Sequence, residues 1–412
     1  MKFTIWHSSE SFADWLIDHT DLRRHDCVKR KLPESDASKP KDFHAIPDHL
    51  KKVLYLDAPD IVVELGNEPI LTIEESKEAG TGHNAFQRFS RLAAAAENGI
   101  PSFYVYPEAV AISRKGGKRR SATVKWDVLN PLAYKALSRL EDIFGSPVLL
   151  FFYPSQYPVS VASGVTVRDK GLKLFLGNPK YAACPEIDDS MRDLFSCMNR
   201  LLASGISPSG KPSSDLGNWP EFRARREWRD RLWHERSAGK SEDSMSPLSA
   251  VRMVPTAHVL DFIRKTTGVS RVSGILPSRP QTAIYQVDAT FRSDPYPGAL
   301  SVIDYLKCRT GRTFEERWCN LVMAWGTLDA GDKEINLSGK QSVEDFCSDV
   351  RNLEARNLLA KSYAEVRQAR SIPRYYMQAR YGSMFTRSKH IRIYSYFSDA
   401  ILFPDGALWR EG

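Results

Sequence analysis

Three charged side chains flank one predicted hairpin. Asp60 stands at the start of an apolar run, and Glu75 and Lys77 end the next run, after a tight Gly66-Asn67 turn. Side chains alternate along a strand, so Glu75 and Lys77 share one face. A hairpin also brings the start of its first strand beside the end of its second. We therefore expect two carboxylates and one ammonium group to meet at one rim of a sheet.

This set of groups suits the hydrolysis of a phosphodiester bond. Carboxylate oxygens are ligands for Mg²⁺, with Mn²⁺ as a substitute, and the metal activates water and neutralises phosphate charge. An ammonium group stabilises the negative charge that develops. Two neighbouring acids, Glu64 and Glu74, are expected to be structural, because they are out of phase with Glu75 or lie deeper in the hairpin.

The surrounding pattern predicts an α/β fold with one central mixed sheet. Ser9 is a predicted cap for a first helix, and Asn84 with Gln87 forms a predicted capping box for a helix through Glu97. Further elements are three short strands at 52–57, 59–64 and 70–77, a strand at 100–106, a helix at 132–143 and a strand at 148–153. The order of the core is α-β-β-β-α-β.

Pro59-Asp60, Glu75-Ser76-Lys77 and this order of elements resemble the PD-(D/E)XK nuclease superfamily, best known from restriction endonucleases. The resemblance covers residues 8–106. It implies a restriction-endonuclease-like sheet in which Asp60, Glu75 and the carbonyl of Ser76 bind Mg²⁺. It also implies that Lys77 assists the nucleophile.

The resemblance also suggests auxiliary residues. Members of the superfamily often add a polar residue on the following helix, where Gln87 and Arg88 are the candidates. Some use an acid on the first helix, where Glu10 or Asp14 could serve. Gln87 is more simply explained as a helix cap.

The charge of the chain is concentrated in two segments. The formal net charge is +8, yet residues 109–126 contain six cations and residues 366–398 contain seven, with no acid in either, which leaves −5 elsewhere. Such separation is typical of a surface that binds a polyanion. The residues expected to contact double-stranded DNA are Arg114, Lys115, Lys118, Arg119, Arg120, Arg374, Arg380, Arg387 and Lys389.

The length of 412 residues allows two or three domains. We predict a catalytic domain over 1–202, a linker over 203–250 that carries a basic amphipathic helix at 221–236, and an α+β DNA-recognition domain over 251–412. In the last of these we expect a hairpin of strands 282–291 and 299–308, helices at 313–325 and 342–370, and a strand at 391–397. A second metal site at Asp294 and Asp304 is disfavoured, because the spacing of Asp304 and Lys307 does not place both on one face of a strand.

Several classes of protein are excluded by what the sequence lacks. The six cysteines form no Cys-x-x-Cys pair, which argues against structural zinc and disulfides and favours the cytoplasm. No apolar run is long enough to span a membrane, and no signal peptide is apparent. A phosphate-binding loop is missing, so no nucleotide cofactor is expected.

The sequence thus favours a Mg²⁺-dependent endonuclease of the type II restriction kind, one half of a restriction-modification pair. A double-strand break takes two active sites, and one chain shows one, so a homodimer on a palindromic site is expected. Two alternatives remain open. One is another nuclease of the same fold with a repair, structure-specific or modification-dependent role, and the other is a non-catalytic DNA-binding protein.

Overall fold

The structure is a computed structural model. It describes residues 1–33, 46–76, 82–107, 109–114, 123–154, 177–207, 209–269, 272, 274–287, 295–339, 375–378, 389–406 and 408–411. The chain forms two compact units, the first ending at Gly239 and the second continuing from Lys240. Both are mixed α/β structures. No helix in the described ranges has the length and apolarity needed to cross a bilayer.

The first unit is built around a six-stranded mixed sheet of order β2-β1-β3-β4-β5-β8. Its strands are β1 (Lys2–His7), β2 (Asp26–Lys31), β3 (Ile61–Leu65), β4 (Glu68–Glu75), β5 (Ser102–Tyr106) and β8 (Val148–Phe152), with β6 (Ala109–Arg114) and β7 (Thr123–Val128) as a separate hairpin. Its helices are α1 (Glu10–His19), α2 (Asp48–Leu54), α3 (Phe89–Glu97), α4 (Leu132–Phe144), α5 (Asp189–Ser204) and α6 (Pro220–Ser237).

The N-terminal region confirms one prediction and corrects another. Helix α1 begins after Ser9, whose side chain accepts from the Phe12 amide as an N-cap. A strand that the sequence did not suggest, β1, precedes it and pairs with both β2 and β3. The strand predicted over 52–57 is wrong: residues 48–54 form α2, which buries Leu50, Val53 and Leu54 at helical spacing. The observed order therefore differs from α-β-β-β-α-β at its start.

The central hairpin has the predicted form. Strands β3 and β4 pair antiparallel, with Ile61 opposite Ile73. They are joined at Gly66 and Asn67, which both have positive φ, as a two-residue turn between twisted strands requires. Strands β5 and β8 confirm the predicted strands at 100–106 and 148–153, and α4 confirms the predicted helix at 132–143.

One edge of the sheet collects the ends of most strands. Strands β2, β1, β4, β5 and β8 run in one direction and β3 runs in the other. Their carboxyl ends therefore meet at the edge where β3 begins. The residues next to that edge include Ser8 after β1, Asp60 before β3, Glu75 at the end of β4 and Tyr153 after β8.

Helix α6 was expected to be part of a linker, and this expectation is wrong. The helix belongs to the first unit and packs against α4 and β8. Two of its arginines are buried and donate to the open edge of β8, Arg225 to the Leu150 carbonyl at 2.5 Å and Arg229 to the Val148 carbonyl at 2.9 Å. The basic helix thus covers a sheet edge, because unpaired strand carbonyls need donors.

The second unit contains another six-stranded mixed sheet, of order β14-β16-β15-β11-β10-β9. Its strands are β9 (Val251–Pro255), β10 (Gln281–Val287), β11 (Asn320–Trp325), β14 (Tyr375–Gln378), β15 (Ala400–Leu402) and β16 (Leu408–Glu411), with β12 (Thr327–Ala330) and β13 (Ile335–Ser338) as a separate pair. The helices are α7 (Thr256–Thr267), α8 (Pro295–Ile303), which continues as a π-helical turn (Asp304–Cys308), and α9 (Lys389–Phe397).

Three predictions for the second unit are wrong. Residues 299–308 form α8 and the π-turn instead of a strand, residues 320–325 form β11 instead of a helix, and residues 391–397 lie in α9 instead of a strand. The first of these has a clear structural reason. Strands β10 and β11 pair in parallel, and parallel neighbours need a crossover connection, which contains α8. Strand β10 confirms the strand expected near 282, whereas the helix predicted over 342–370 falls outside the described residues.

Arg229, one of the two buried arginines of α6, allows a test of how much these contacts with β8 contribute to stability. Arg229 is 2% exposed and also pairs with Glu141 at 2.8 Å. Replacing it by alanine leaves the buried Glu141 carboxylate without its cationic partner and the Val148 carbonyl without its side-chain donor. Arg229→Ala is therefore expected to lower the free energy of unfolding by about 3–5 kcal/mol in urea titrations.

The control is on the same helix. Arg231 is 66% exposed and lies 3.8 Å from Glu235. Because exposed pairs contribute little, Arg231→Ala should change the unfolding free energy by less than about 0.5–1 kcal/mol. Equal effects of the two substitutions would contradict the edge-covering role.

Candidate active site

Asp60 is fixed by contacts from two directions. Its Oδ1 accepts a hydrogen bond from the Ser8 hydroxyl at 2.8 Å, and its Oδ2 accepts one from the Glu75 amide at 2.8 Å. Its own carbonyl accepts from the Ser8 amide, also at 2.8 Å. The side chain is therefore held between the end of β1 and the end of β4, and Asp60 lies beside Glu75 as the hairpin argument predicted.

Glu75 is the last residue of β4 and is partly exposed. Its Oε1 accepts a hydrogen bond from the phenol of Tyr153, the residue after β8. Burial and the neighbouring Glu75 carboxylate raise the pKa of Tyr153, so the phenol keeps its proton and remains a donor. The backbone places the two residues together because β4, β5 and β8 run parallel and end at one edge.

Ser76 continues the pairing of β4 for one more residue. Its amide donates to the Val105 carbonyl at 2.9 Å, and the residue is buried. Lys77, the predicted assistant to the nucleophile, lies outside the described residues. The structure thus brings together Asp60, Glu75 and Ser76 from the predicted set.

The oxygen atoms at this edge suit a hard divalent cation. No cluster of three or more His, Cys, Asp or Glu side chains with metal-binding geometry occurs in the described part of the chain. Mg²⁺ does not need one, because it commonly takes one or two protein carboxylates and fills its octahedron with water and substrate phosphate. Two adjacent carboxylates that are already oriented by hydrogen bonds fit that requirement.

Glu74 lies on the opposite face of β4 and has a different environment. It is completely buried, and Arg91 of α3 donates to both of its oxygens at 2.8 Å while also contacting Asp57 at 2.8 Å. Burial raises the pKa of Glu74 to about 8, against the opposing effect of Arg91. These contacts anchor β4 to α3 and to the segment before β3, which is the structural role expected of Glu74.

The candidate auxiliary residues lie elsewhere. Glu10 and Asp14 on α1 both accept from Lys29 of β2, at 2.7 and 2.8 Å, and Lys29 lowers the pKa of Glu10. Arg88 approaches Glu74 at 3.5 Å, on the face away from Glu75. No described contact links Glu10 or Arg88 to Asp60.

The predicted capping box before α3 is wrong. Residues 82–86 form a separate 3₁₀ turn, and α3 begins only at Phe89, with Arg88 in the cap position and no side-chain cap hydrogen bond. Gln87 therefore precedes the helix and is partly buried. The sequence pattern was ambiguous because a 3₁₀ turn and the first turn of an α-helix favour similar polar residues.

Most of the predicted DNA-contacting cations lie outside the described residues. Arg114 is the last residue of β6 and Lys389 the first of α9, and in both cases only the backbone is described. The others, Lys115, Lys118, Arg119, Arg120, Arg374, Arg380 and Arg387, lie outside the described residues.

Asp304, one half of the disfavoured second metal site, is a structural residue. It is fully buried in the π-turn after α8, and it accepts from Arg309 at 2.9 Å and from Arg317 at 2.7 Å. Two arginines leave no place for a cation at this carboxylate. Asp294 lies outside the described residues.

Two residues of the site were not anticipated from the sequence, Ser8 and Tyr153. Tyr153 ends an apolar run that was predicted as a strand, so its position at an edge could have been inferred had the parallel pairing of β8 been known. Ser8 follows β1, and the alternation of residue types over Lys2–His7 was the signal that could have predicted this strand.

Comparison with known proteins adds no assignment. The sequence matches no protein-family model, no curated protein and no solved structure.

The buried Glu74 gives a test by pH. Its pKa of about 8 is above the ordinary value of 4.5, so the folded state binds the proton more tightly than the unfolded state. The stability from this group is complete below pH 4.5 and is lost as the pH rises towards 8, at up to about 1.4 kcal/mol per pH unit. Glu74→Gln should therefore gain stability relative to the parent between pH 5 and pH 8 in urea unfolding. Parallel curves for the two proteins would contradict the raised pKa.

Proposed function

We propose that the protein is a Mg²⁺-dependent endonuclease that cleaves double-stranded DNA at specific sites, in the manner of a type II restriction enzyme. The observation that carries the proposal is the contact between the two carboxylate residues, in which the Glu75 amide donates to Asp60 Oδ2 at 2.8 Å. This contact fixes the Asp60 carboxylate beside the end of β4, where the Tyr153 phenol orients the Glu75 carboxylate. Lys77 follows two residues further along the chain.

The roles of the chain's own residues follow from this arrangement. Asp60, Glu75 and the carbonyl of Ser76 would hold the cation, with Mn²⁺ as a substitute. When bound, Mg²⁺ supplies activation of a water molecule and neutralisation of charge on the phosphate. Ser8 and Tyr153 orient the carboxylates, and Lys77 stabilises the negative charge that develops in the transition state.

The DNA contacts are assigned to the two acid-free segments. Residues 109–126 and 366–398 carry +13 between them, whereas the rest of the chain carries −5. Cations neutralise phosphates and fix the position of the duplex. Because the described part of one chain offers one such pair of carboxylates, we propose that two chains act together as a homodimer on a double-strand target.

The central experiment removes one ligand. Glu75→Ala is expected to abolish Mg²⁺-dependent cleavage of plasmid DNA, because the cation loses a carboxylate, while binding of a DNA fragment in a gel-shift assay stays within about threefold. Mapping the ends of a digested, sequenced plasmid then gives the recognition and cut sites.

The matched control is at the other end of the same strand. Glu68 begins β4 and contacts Lys52, so Glu68→Ala changes an acid of the same hairpin away from the site. It should cleave like the parent. If the parent protein cuts no DNA in Mg²⁺ or Mn²⁺, or if Glu75→Ala cuts as well as Glu68→Ala, the catalytic assignment fails.

The DNA-binding role of the second basic segment has its own test. Neutralising Arg374, Arg380, Arg387 and Lys389 together should flatten the dependence of DNA affinity on salt, by up to about 0.9 in the logarithmic slope per lost phosphate contact. The measurement is fluorescence anisotropy with a labelled duplex at several salt concentrations.

A control with the same change of charge uses arginines that face acids one helical turn away. Arg192, Arg223, Arg231 and Arg264 are exposed and pair with Asp189, Glu227, Glu235 and Asp261. Their neutralisation should leave the slope close to that of the parent. Equal slopes for both quadruple variants would remove the 366–398 segment from the DNA interface.

A further inference from the structure

The carboxylates of the candidate site are held by neutral hydrogen-bond donors. Ser8 Oγ holds Asp60 Oδ1 at 2.8 Å, the Glu75 amide holds Asp60 Oδ2 at 2.8 Å, and the Tyr153 phenol holds Glu75 Oε1. Both oxygens of Asp60 and Oε1 of Glu75 therefore have a fixed donor before any cation arrives.

Backbone hydrogen bonds fix the positions of Tyr153 and Ser8. Tyr153 is 3% exposed, and its amide donates to the Tyr106 carbonyl at 3.0 Å, so its position follows from the pairing of β5 and β8. Ser8 is tied to Asp60 twice, through its hydroxyl and through its amide. The carboxylates can reorient only if these contacts break.

Divalent cations differ in how they use a carboxylate. Ca²⁺ takes six to eight oxygen ligands at longer distances in a flexible geometry, and it often takes both oxygens of one carboxylate. Mg²⁺ requires a nearly ideal octahedron with short bonds, and the narrow angle between the two oxygens of one carboxylate does not suit it. A carboxylate with one oxygen already turned towards a phenol favours single-oxygen binding.

We infer that Tyr153, supported by Ser8, determines the cation specificity of the site and favours Mg²⁺ over Ca²⁺ by holding the carboxylates for single-oxygen binding. This inference rests on the proposed function, because it assumes that Asp60 and Glu75 bind a metal. Tyr153 acts as a positioning residue, since it contacts the ligand and not the cation.

The test is direct binding of metal to the full-length protein without DNA. Isothermal titration with MgCl₂, MnCl₂ and CaCl₂ gives the affinity of each cation for the parent, Tyr153→Phe and Ser8→Ala. In Tyr153→Phe the Mg²⁺ affinity should fall about tenfold, as is typical when a partner of a metal ligand is lost. The Ca²⁺ affinity should stay the same or rise, so the preference for Mg²⁺ over Ca²⁺ falls by at least about tenfold.

A second tyrosine provides the control. Tyr181 is also buried and also donates to a carboxylate, that of Asp18 at the other end of α1. Tyr181→Phe removes a phenol–carboxylate contact of the same kind and should leave the ratio of Mg²⁺ to Ca²⁺ affinity unchanged. Ser8 is exposed, so Ser8→Ala tests the same inference if Tyr153→Phe does not fold.

The outcomes separate this inference from the proposed function. If the parent binds Mg²⁺, Glu75→Gln weakens that binding, and Tyr153→Phe and Ser8→Ala keep the affinity ratio of the parent, the specificity role is overturned while the metal site stands. If the parent binds neither Mg²⁺ nor Mn²⁺, or if Glu75→Gln binds as well as the parent, the metal site itself fails and the inference fails with it.

Discussion

The hydrogen bond from the Glu75 amide to Asp60 Oδ2 depends on one alignment of strands, the register of β3 against β4. With Ile61 opposite Ile73, Asp60 arrives beside the last residues of β4. A slip of one residue would turn Glu75 to the other face of the sheet and bring Glu74 to the rim. The tight turn at Gly66-Asn67 sets the pairing next to it, and a β-bulge between Val63 and Glu64 shifts the register by one residue. The apolar side chains on both faces hold the resulting alignment.

Two consecutive acids on β4 show how the two faces of the sheet divide their tasks. Glu74 points to the α3 side, is completely buried and accepts two hydrogen bonds from Arg91, which also donates to Asp57. Glu75 points to the other side, is partly exposed and is oriented by Tyr153. The first contact fixes the strand in the sheet, and the second presents a carboxylate at its edge. Adjacent residues of the same type thus have different chemistry because strand side chains alternate.

The parts of the fold that the sequence predicted well are those determined by local signals. The Ser9 cap, the Gly66-Asn67 turn and the apolar strands β5 and β8 each have a short-range cause, and all are observed. The wrong predictions depend on distant partners. Helix α9 was taken for a strand because the residues of 391–397 alternate in a way that also suits a half-buried strand, and only the packing of the unit selects the helix. Helix α8 was missed because only the parallel pairing of β10 and β11 requires a crossover.

The residues of the candidate site show the same difference between local signals and distant partners. Asp60 and Glu75 could be paired from the sequence because a hairpin is a local structure. Tyr153 is 78 residues from Glu75, and only the parallel order of β4, β5 and β8 joins them. Arg225 and Arg229 lie in the basic helix that was predicted to be part of a linker, yet they are buried against β8. Charge along the sequence therefore overstates the cations available to a ligand wherever an arginine covers a sheet edge.

The partners of the acids distinguish structural carboxylates from a candidate site. Glu74, Glu141 and Asp304 are buried, and each already has at least one arginine partner within the fold. Asp60 differs. Among the described residues its hydrogen-bond donors are a hydroxyl and an amide, which orient the carboxylate without neutralising it. An oriented carboxylate whose nearest donors are neutral retains its attraction for a cation. Asp188 and Asp215 also accept from neutral donors, so the feature that marks the candidate site is the position of such a carboxylate beside Glu75 at the edge of the sheet.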